Sequence, residues 1–277
     1  MKELIKSLLG RKEELSHFNQ TISELKKQNF FKEELGWFLQ VDSPWLKEAT
    51  EEFFSCEDGW RTLCKFKSSS QKTDGIAKTL DIAEGFALWC FVKYYKPKVV
   101  VELGSQFGLS ARLWKEALNI YVKEHELYLC DLDDRRKYIS DEECTFLKGD
   151  ARETLKGLLH DKKIDVLIND AHPYDLIMWS LHAGVEANIP HFAFHDIGHH
   201  HPRGVYRKEF YDLPEETKMK ETANWAEYGC WERHGMAKVF DERIAELNTA
   251  ENDDYKIQIF DSLFGYGFVT NKKFVKA

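Results

Sequence analysis

The sequence predicts an α/β fold, a mainly parallel sheet flanked by helices, and three observations lead there. Apolar and β-branched runs too short for helices, Val99-Val100-Val101 first among them, suit strands buried on both faces. Stretches with apolar residues at helical spacing alternate with these runs, as in wound α/β folds. The runs end in polar or acidic residues, where open α/β sheets bind ligands.

A chain of 277 residues accommodates one large α/β domain with additions. Its 43% hydrophobic and 14% aromatic residues supply a substantial core, which excludes global disorder. The net charge of -8 offers no general attraction to phosphate backbones, so nucleic acid is a poor partner and a small molecule a better one. Met1 to Gly10 alternate lysine and glutamate with leucine and lack the apolar core of a signal peptide. No segment reaches the roughly 18 apolar residues of a membrane span. The expectation is a soluble cytoplasmic protein with no membrane partner. Six scattered cysteines without a Cys-x-x-Cys pair read as buried thiols rather than zinc or redox sites.

Residues 1–75 read as an N-terminal helical extension and cap, and 76–277 as the main domain. From Lys2 to about Leu39 an apolar stripe (Leu4, Ile5, Leu8, Leu9, then Ile22, Leu25, Phe30, Phe31) faces a charged side. A helical layer on the sheet is the plain reading; a homo-oligomer contact or a cap over the substrate opening is the functional one. Between Val41 and Gly75, Asp42-Ser43-Pro44, Asp58-Gly59 and Ser68-Ser69-Ser70 predict turns and loops, with Trp45, Phe53, Phe54 and Trp60 tucked onto the core or lining an acceptor pocket. Thr79 to Tyr95 is a helix by the spacing of Leu80, Ala83, Ala87 and Leu88, and Pro97 stops it.

Val99 to Glu102 is the first strand, Gly104 and Gly108 allow a tight turn, and Leu109 to Leu118 resumes a helix. Unpaired N–H groups and the helix dipole meet at such a junction, so it suits a nucleotide-like ligand. Leu127 to Cys130 is the second strand, closed by Asp131; in α/β nucleotide folds an acid there accepts from ribose hydroxyls. Thr145 to Leu147 is the third, ending in Gly149-Asp150-Ala151 before a helix from Arg152 to Leu159, which Asp150 is suited to cap. Ile164 to Ile168 runs into Asn169-Asp170-Ala171-His172-Pro173-Tyr174 and a helix from Leu176 to Ala187. Ile189 to Phe194 runs into His195-Asp196-Ile197-Gly198 and the loop of His199, His200 and His201. An insertion of about 202–246 follows, carrying Tyr206, Phe210, Tyr211, Trp225, Tyr228, Trp231 and Arg233. It is either an acceptor-selecting cover or a helical decoration on the outer face. Tyr255 to Phe260 and Gly265 to Thr270 are two strands joined by a short turn.

The loop has neither the Gly-x-Gly-x-x-Gly of dinucleotide sites nor the Gly-Lys-Ser/Thr of a P-loop. Its acidic strand end followed by Gly-x-x-x-Gly resembles the first motif of class I S-adenosylmethionine-dependent methyltransferases. Across Lys98 to Ile197 the chain is similar to the subgroup of macrolide-sugar, rhamnosyl and cephalosporin-pathway O-methyltransferases. The resemblance implies a Rossmann-like class I methyltransferase sheet with a closing antiparallel hairpin. It also implies S-adenosylmethionine as cofactor and transfer of methyl to a hydroxylated sugar or natural product. By the same resemblance Glu102, Gly104, Ser105, Gln106, Gly108 and Ser110 surround the methionine part, Asp131 the ribose, and Asp150 with Ala151 the adenine. Several members hold magnesium with one acid after the fourth strand and an acidic pair after the fifth. Carried over, Asp170, His195 and Asp196 form the metal set, histidine standing where the pair begins with glutamate. Two aspartates suit Mg²⁺, and adding an imidazole favours Mn²⁺, Fe²⁺ or Zn²⁺. Without a metal, His195 or His172 is the general base, oriented by Asp170 and Asp196. Two alternatives remain open: a metal-dependent hydrolase or oxygenase using the same histidines and aspartates, and a non-catalytic cofactor-binding protein.

Overall fold

The computed structural model describes residues 31–56, 82–198, 213–220, 231–262 and 265–274. Among them the strands are Val99–Leu103 (β1), Glu126–Asp131 (β2), Thr145–Lys148 (β3), Val166–Asn169 (β4), His191–His195 (β5), Thr249–Glu251 (β6), Tyr255–Phe260 (β7) and Tyr266–Asn271 (β8). They join one sheet in the order β3-β2-β1-β4-β5-β8-β7-β6. The first five are parallel, and β8, β7 and β6 close the sheet antiparallel, with His195 opposite Tyr266. The expected mainly parallel sheet with a closing hairpin is therefore present. β6 was not expected; three residues with one apolar position carry no periodic signal, and pairing of Ala250 with Ile257 makes it a strand.

Helices cover both faces: Lys32–Leu39 (α1), Ser43–Ser55 (α2), Ile82–Tyr95 (α3), Leu109–Tyr121 (α4), Ala151–Asp161 (α5), Tyr174–Glu186 (α6), Glu215–Lys220 (α7) and Trp231–Val239 (α8). Because strand side chains alternate, Val100, Ile168, Ala193 and Phe268 pack with α1 to α4, whereas Val101, Leu167, Phe192 and Val269 pack with α5, α6 and α8. Double burial explains why these strands read as apolar runs.

The turn expected at Asp42-Ser43-Pro44 is instead the start of α2. Asp42 Oδ1 accepts from Trp45 N at 3.0 Å, and Pro44 lies in the first turn, where its missing N–H leaves no bond unmade. The same residue types serve turns and helix starts. Phe53 and Phe54 belong to the core, Phe53 lying 5.4 Å from Phe86 and 5.5 Å from Trp89. α1 lies against the closing hairpin through Phe38 and Phe268, 6.0 Å apart. The apolar stripe before Phe31, the loops from Asp58 to Gly75 with Trp60, His199 to His201, and the insertion aromatics Tyr206, Phe210, Tyr211, Trp225 and Tyr228 lie outside the described residues.

In the described part of the insertion, Trp231 is buried 5.2 Å from Tyr174. The buried Arg233 donates to the carbonyls of Ile197 (3.1 Å), Ile244 (2.9 Å) and Leu247 (3.0 Å), tying α8 to the end of β5. These two residues thus pack the outer layer. Among the described residues no helix is long and apolar enough to cross a membrane. Cys90, Cys130 and Cys144 are buried free thiols, and Cys56 is a half-buried one.

The sheet also carries a pH liability. His191, at the start of β5, lies between Phe91 (5.2 Å) and Tyr95 (4.2 Å), with Nδ1 3.1 Å from Thr270 Oγ1, and burial pushes its pKa down to about 3. Above pH 6.5 the ring is neutral in both folded and unfolded chains. As pH falls from 6.5 toward 3 the unfolded chain takes a proton that the core refuses, so stability drops by about 2 kcal/mol at pH 5. Thermal unfolding of His191→Asn should lose that part of the pH 7 to pH 5 decline; an unchanged decline would remove His191 as its source.

Candidate active site

β1 and β4 are neighbours, but the chain leaves β1 toward β2 and returns from β3 to β4. The carboxyl ends on either side of this switch point frame a crevice, the usual ligand position in open α/β sheets. Here it is a cleft of about 550 Å³. Gly104 follows β1, Asp131 ends β2, Asp150 follows β3, and Asp170 with His172 follows β4. His195 and Asp196 close β5, and all seven line that cleft.

The glycine loop is held by its neighbours. Gly104 takes φ +84°, and its N donates to Cys130 O at 2.9 Å. A side chain at Gly104 would enter the backbone of Asp170, 2.6 Å from its carbonyl carbon, so glycine lets the ends of β1 and β4 approach. Gln106 is also left-handed (φ 44°), and its N donates to Asp131 Oδ2 at 2.9 Å. Asp131 therefore ties the loop to β2 as well as facing the cleft. Asp150 caps α5 by accepting from Arg152 N at 2.9 Å and pairs with the Arg152 guanidinium, which reaches Asp175 at 2.5 Å on the other side. Arg152 thus straps the end of β3 to the first turn of α6. Ala151 and Gln106 line the cleft, as does Leu132, an exposed leucine offering an apolar wall.

Glu102, Ser105, Gly108 and Ser110 are not among the residues lining this cleft. Glu102 and Ser105 are buried; Glu102 accepts from Ser110 Oγ, and burial pushes its carboxyl up to about 8 against that bond. Gly108 begins α4. Ser105 and Gly108 belong to the loop itself, and the Glu102 and Ser110 pair lies beside it.

The two histidines differ. His195 is buried with Nδ1 3.2 Å from Asp170 Oδ1 and 3.3 Å from Asp196 Oδ1, while Nε2 lies 3.5 Å from Glu84 Oε2. Burial opposes a charged ring, but the carboxylates of Asp196, Asp170 and Glu84 outweigh it and hold its pKa well above the ordinary value. Glu84, wholly buried on α3, also accepts from Ser262 Oγ and from Gly265 N (3.0 Å). His172 is more open. Its Nδ1 is 2.9 Å from Glu232 Oε1 on α8, and its Nε2 lies 3.7 Å from Asp196 Oδ2. Burial is again overcome, by Glu232 first and then Asp196 and Asp170, and the ring titrates at about 9. Burial raises the carboxyls of Glu232 and Asp170, each restrained by its histidine.

One ligand atom each from Asp170, His172 and Asp196 lies within 4.8 Å of the other two. His195, the histidine of the expected set, adjoins this grouping with Nδ1 against Asp170 and Asp196. The sequence reading of the site missed Glu84, Glu232, Arg152 and Leu132. Only Leu132 and Arg152, adjoining Asp131 and Asp150, carried a local signal.

No protein-family model and no curated protein matches the sequence. Among solved structures, an O-methyltransferase from Bacillus cereus in complex with SAH is 12% identical, covering 76% of this chain and 91% of that one, with a TM-score of 0.51. The O-methyltransferase TomG from Streptomyces achromogenes, involved in tomaymycin synthesis and complexed with SAM, is 11% identical over 76% of this chain and 89% of that one, also with a TM-score of 0.51. At such identities the likeness concerns architecture, and the chain has the Rossmann-like fold of these methyltransferases.

Proposed function

We propose that this protein is an S-adenosylmethionine-dependent methyltransferase acting on the oxygen of a hydroxylated small molecule, a sugar or natural product. The observation that carries the reading is that Asp131, Asp150 and the Asp170, His172, Asp196 group line one cleft at the switch point of the sheet. Its volume lies within the range of small-molecule sites, roughly 300 to 1,000 Å³.

When bound, the cofactor supplies a methyl group on a sulfonium that departs as a neutral thioether. Asp131 would accept from the ribose hydroxyls, and Leu132 and Ala151 would offer apolar surface to the adenine. Asp150, steadied by Arg152, would accept from the adenine amino group. Gly104 and Gln106 would hold the methionine part. The acceptor hydroxyl would stand at the Asp170, His172 and Asp196 end, where the carboxylate of Asp170 or Asp196 would take its proton as the oxygen bonds to the methyl carbon, the imidazole of His172 already being protonated at neutral pH. Holding donor and acceptor in line is the main service such a site performs. The likeness of the fold to solved O-methyltransferases in complex with SAM or SAH supports the same reading.

Calorimetry on the intact protein tests it. Saturable binding of S-adenosylmethionine and S-adenosylhomocysteine, with none of NAD, is expected. Tight NAD binding without either sulfur ligand would overturn the assignment.

A further inference from the structure

Arg152 bridges two carboxylates within the cleft. Asp150 Oδ1 accepts from Arg152 N and Nε, both at 2.9 Å, and Asp150 Oδ2 accepts from Nη2 at 2.6 Å. On the far side Nη1 donates to Asp175 Oδ2 at 2.5 Å, in the first turn of α6. All three side chains line the cleft. The bonds from Arg152 hold the Asp150 carboxyl below its ordinary range, so the group stays ionised and can only accept. An ionised carboxylate offers about four acceptor positions, and the donors of Arg152 leave about one of them for the N–H of a ligand.

Resting on the reading of this cleft as a methyl-transfer site with Asp150 toward the adenine, we propose that Arg152 is a positioning residue that sets the preference for adenine over a 6-oxopurine base. It fixes the Asp150 carboxylate so that the acceptor position left over meets the exocyclic amino group, and Asp175 holds Arg152 in place.

A planar, two-pronged guanidinium restrains a carboxylate in its own plane, which a lysine ammonium does not. Without it Asp150 keeps only its capping bond to the backbone, and the outer oxygen is free to turn into water. That freedom bears on base choice. A 6-oxopurine presents a carbonyl oxygen where adenine has its amino group, and an oxygen set against a fixed carboxylate is repelled and left without a partner. Rejection therefore depends on a carboxylate that cannot turn away. The same Asp-x-Arg fork recurs at Asp134 with Arg136 and at Asp241 with Arg243, and neither pair lines the cleft. The fork itself is local chain chemistry; its place at the end of β3 is what gives it a ligand to act on.

Titration calorimetry of the full-length protein with S-adenosylhomocysteine and with S-inosylhomocysteine, its 6-oxopurine counterpart, tests the assignment. The wild type should prefer the adenosyl ligand by about 100-fold, the loss expected when a hydrogen bond to a charged group is replaced by repulsion. Arg152→Gln should bring that preference below about 10-fold, chiefly by weakening the adenosyl ligand, with the inosyl ligand held within about threefold. Arg152→Lys, which keeps the charge without the fork, should fall between, as should Asp175→Asn, which releases the far prong. Arg243→Gln removes the matching fork away from the cleft and should leave the preference unchanged. If Arg152→Gln fails to fold, Arg152→Lys and Asp175→Asn carry the comparison. A preference undiminished in the Arg152 variants, an equal loss of both ligands, or an equal shift in Arg243→Gln would overturn the proposal. The wild type separates the two readings: adenosyl binding without base preference removes the role of Arg152 alone, whereas binding of neither ligand removes the methyl-transfer reading and this role with it.

Discussion

Gly104→Ala is expected to lower stability by about 3 kcal/mol and to abolish cofactor binding. The residue sits at φ +84°, and an added Cβ would enter the Asp170 peptide. Strain of this backbone type costs about 1 to 3 kcal/mol, and overpacking against main chain adds a similar amount. Relief would require the ends of β1 and β4 to separate, where Asp170 N donates to Leu103 O at 3.0 Å. The melting temperature should fall by about 6 to 12 °C for a chain of this size. Gly157→Ala is the matched control: its Cβ would meet nothing within 4 Å, and alanine in mid-helix is favoured by about 0.5 to 1 kcal/mol. Calorimetric scans of both variants decide the matter. A Gly104→Ala protein that melts with the wild type would mean that the loop does not pack against β4 as described.

Asp131→Ala should leave the fold within about 1 kcal/mol of wild type, because the residue is half-buried at the cleft rim. Its effect should fall on binding of S-adenosylmethionine. Hydrogen bonds to a charged group contribute about 1.5 to 3 kcal/mol each, so two ribose hydroxyls amount to at least about 3 kcal/mol, or more than 100-fold in Kd. The substitution also frees Gln106 N from its 2.9 Å bond and loosens the glycine loop. Asp131→Asn, which can retain an acceptor for Gln106, should fall between the two. A Kd for Asp131→Ala within fivefold of wild type, measured by titration calorimetry, would sink the ribose assignment.

Much of the architecture was legible because it depends on short-range pattern. Val99 to Val101 and Phe192 to Phe194 are apolar at successive positions because their strands are covered on both faces. The order of acid-ended strands put Asp131, Asp150, Asp170 and Asp196 in prospect as cleft residues, and they line one cleft. Asp42-Ser43-Pro44 misled because one local chemistry serves both a turn and the first turn of α2. Glu102 stood out in the sequence as the acid ending β1, yet it is buried beside Ser110. Side chains alternate along a strand, so a shift of one residue separates a cleft wall from a core.

By itself the amino-acid sequence determined the α/β class, the succession of elements and the chemical character of the strand ends, since periodicity and turn chemistry act over a few residues. Tertiary structure alone decided which carboxylates face each of the two histidines. Their partners come from distant parts of the chain: Glu84 from α3 for His195, and Glu232, 60 residues beyond His172, from α8. A charge is felt through space rather than along the chain, so which carboxylate holds which imidazole is set only when the helices pack on the sheet.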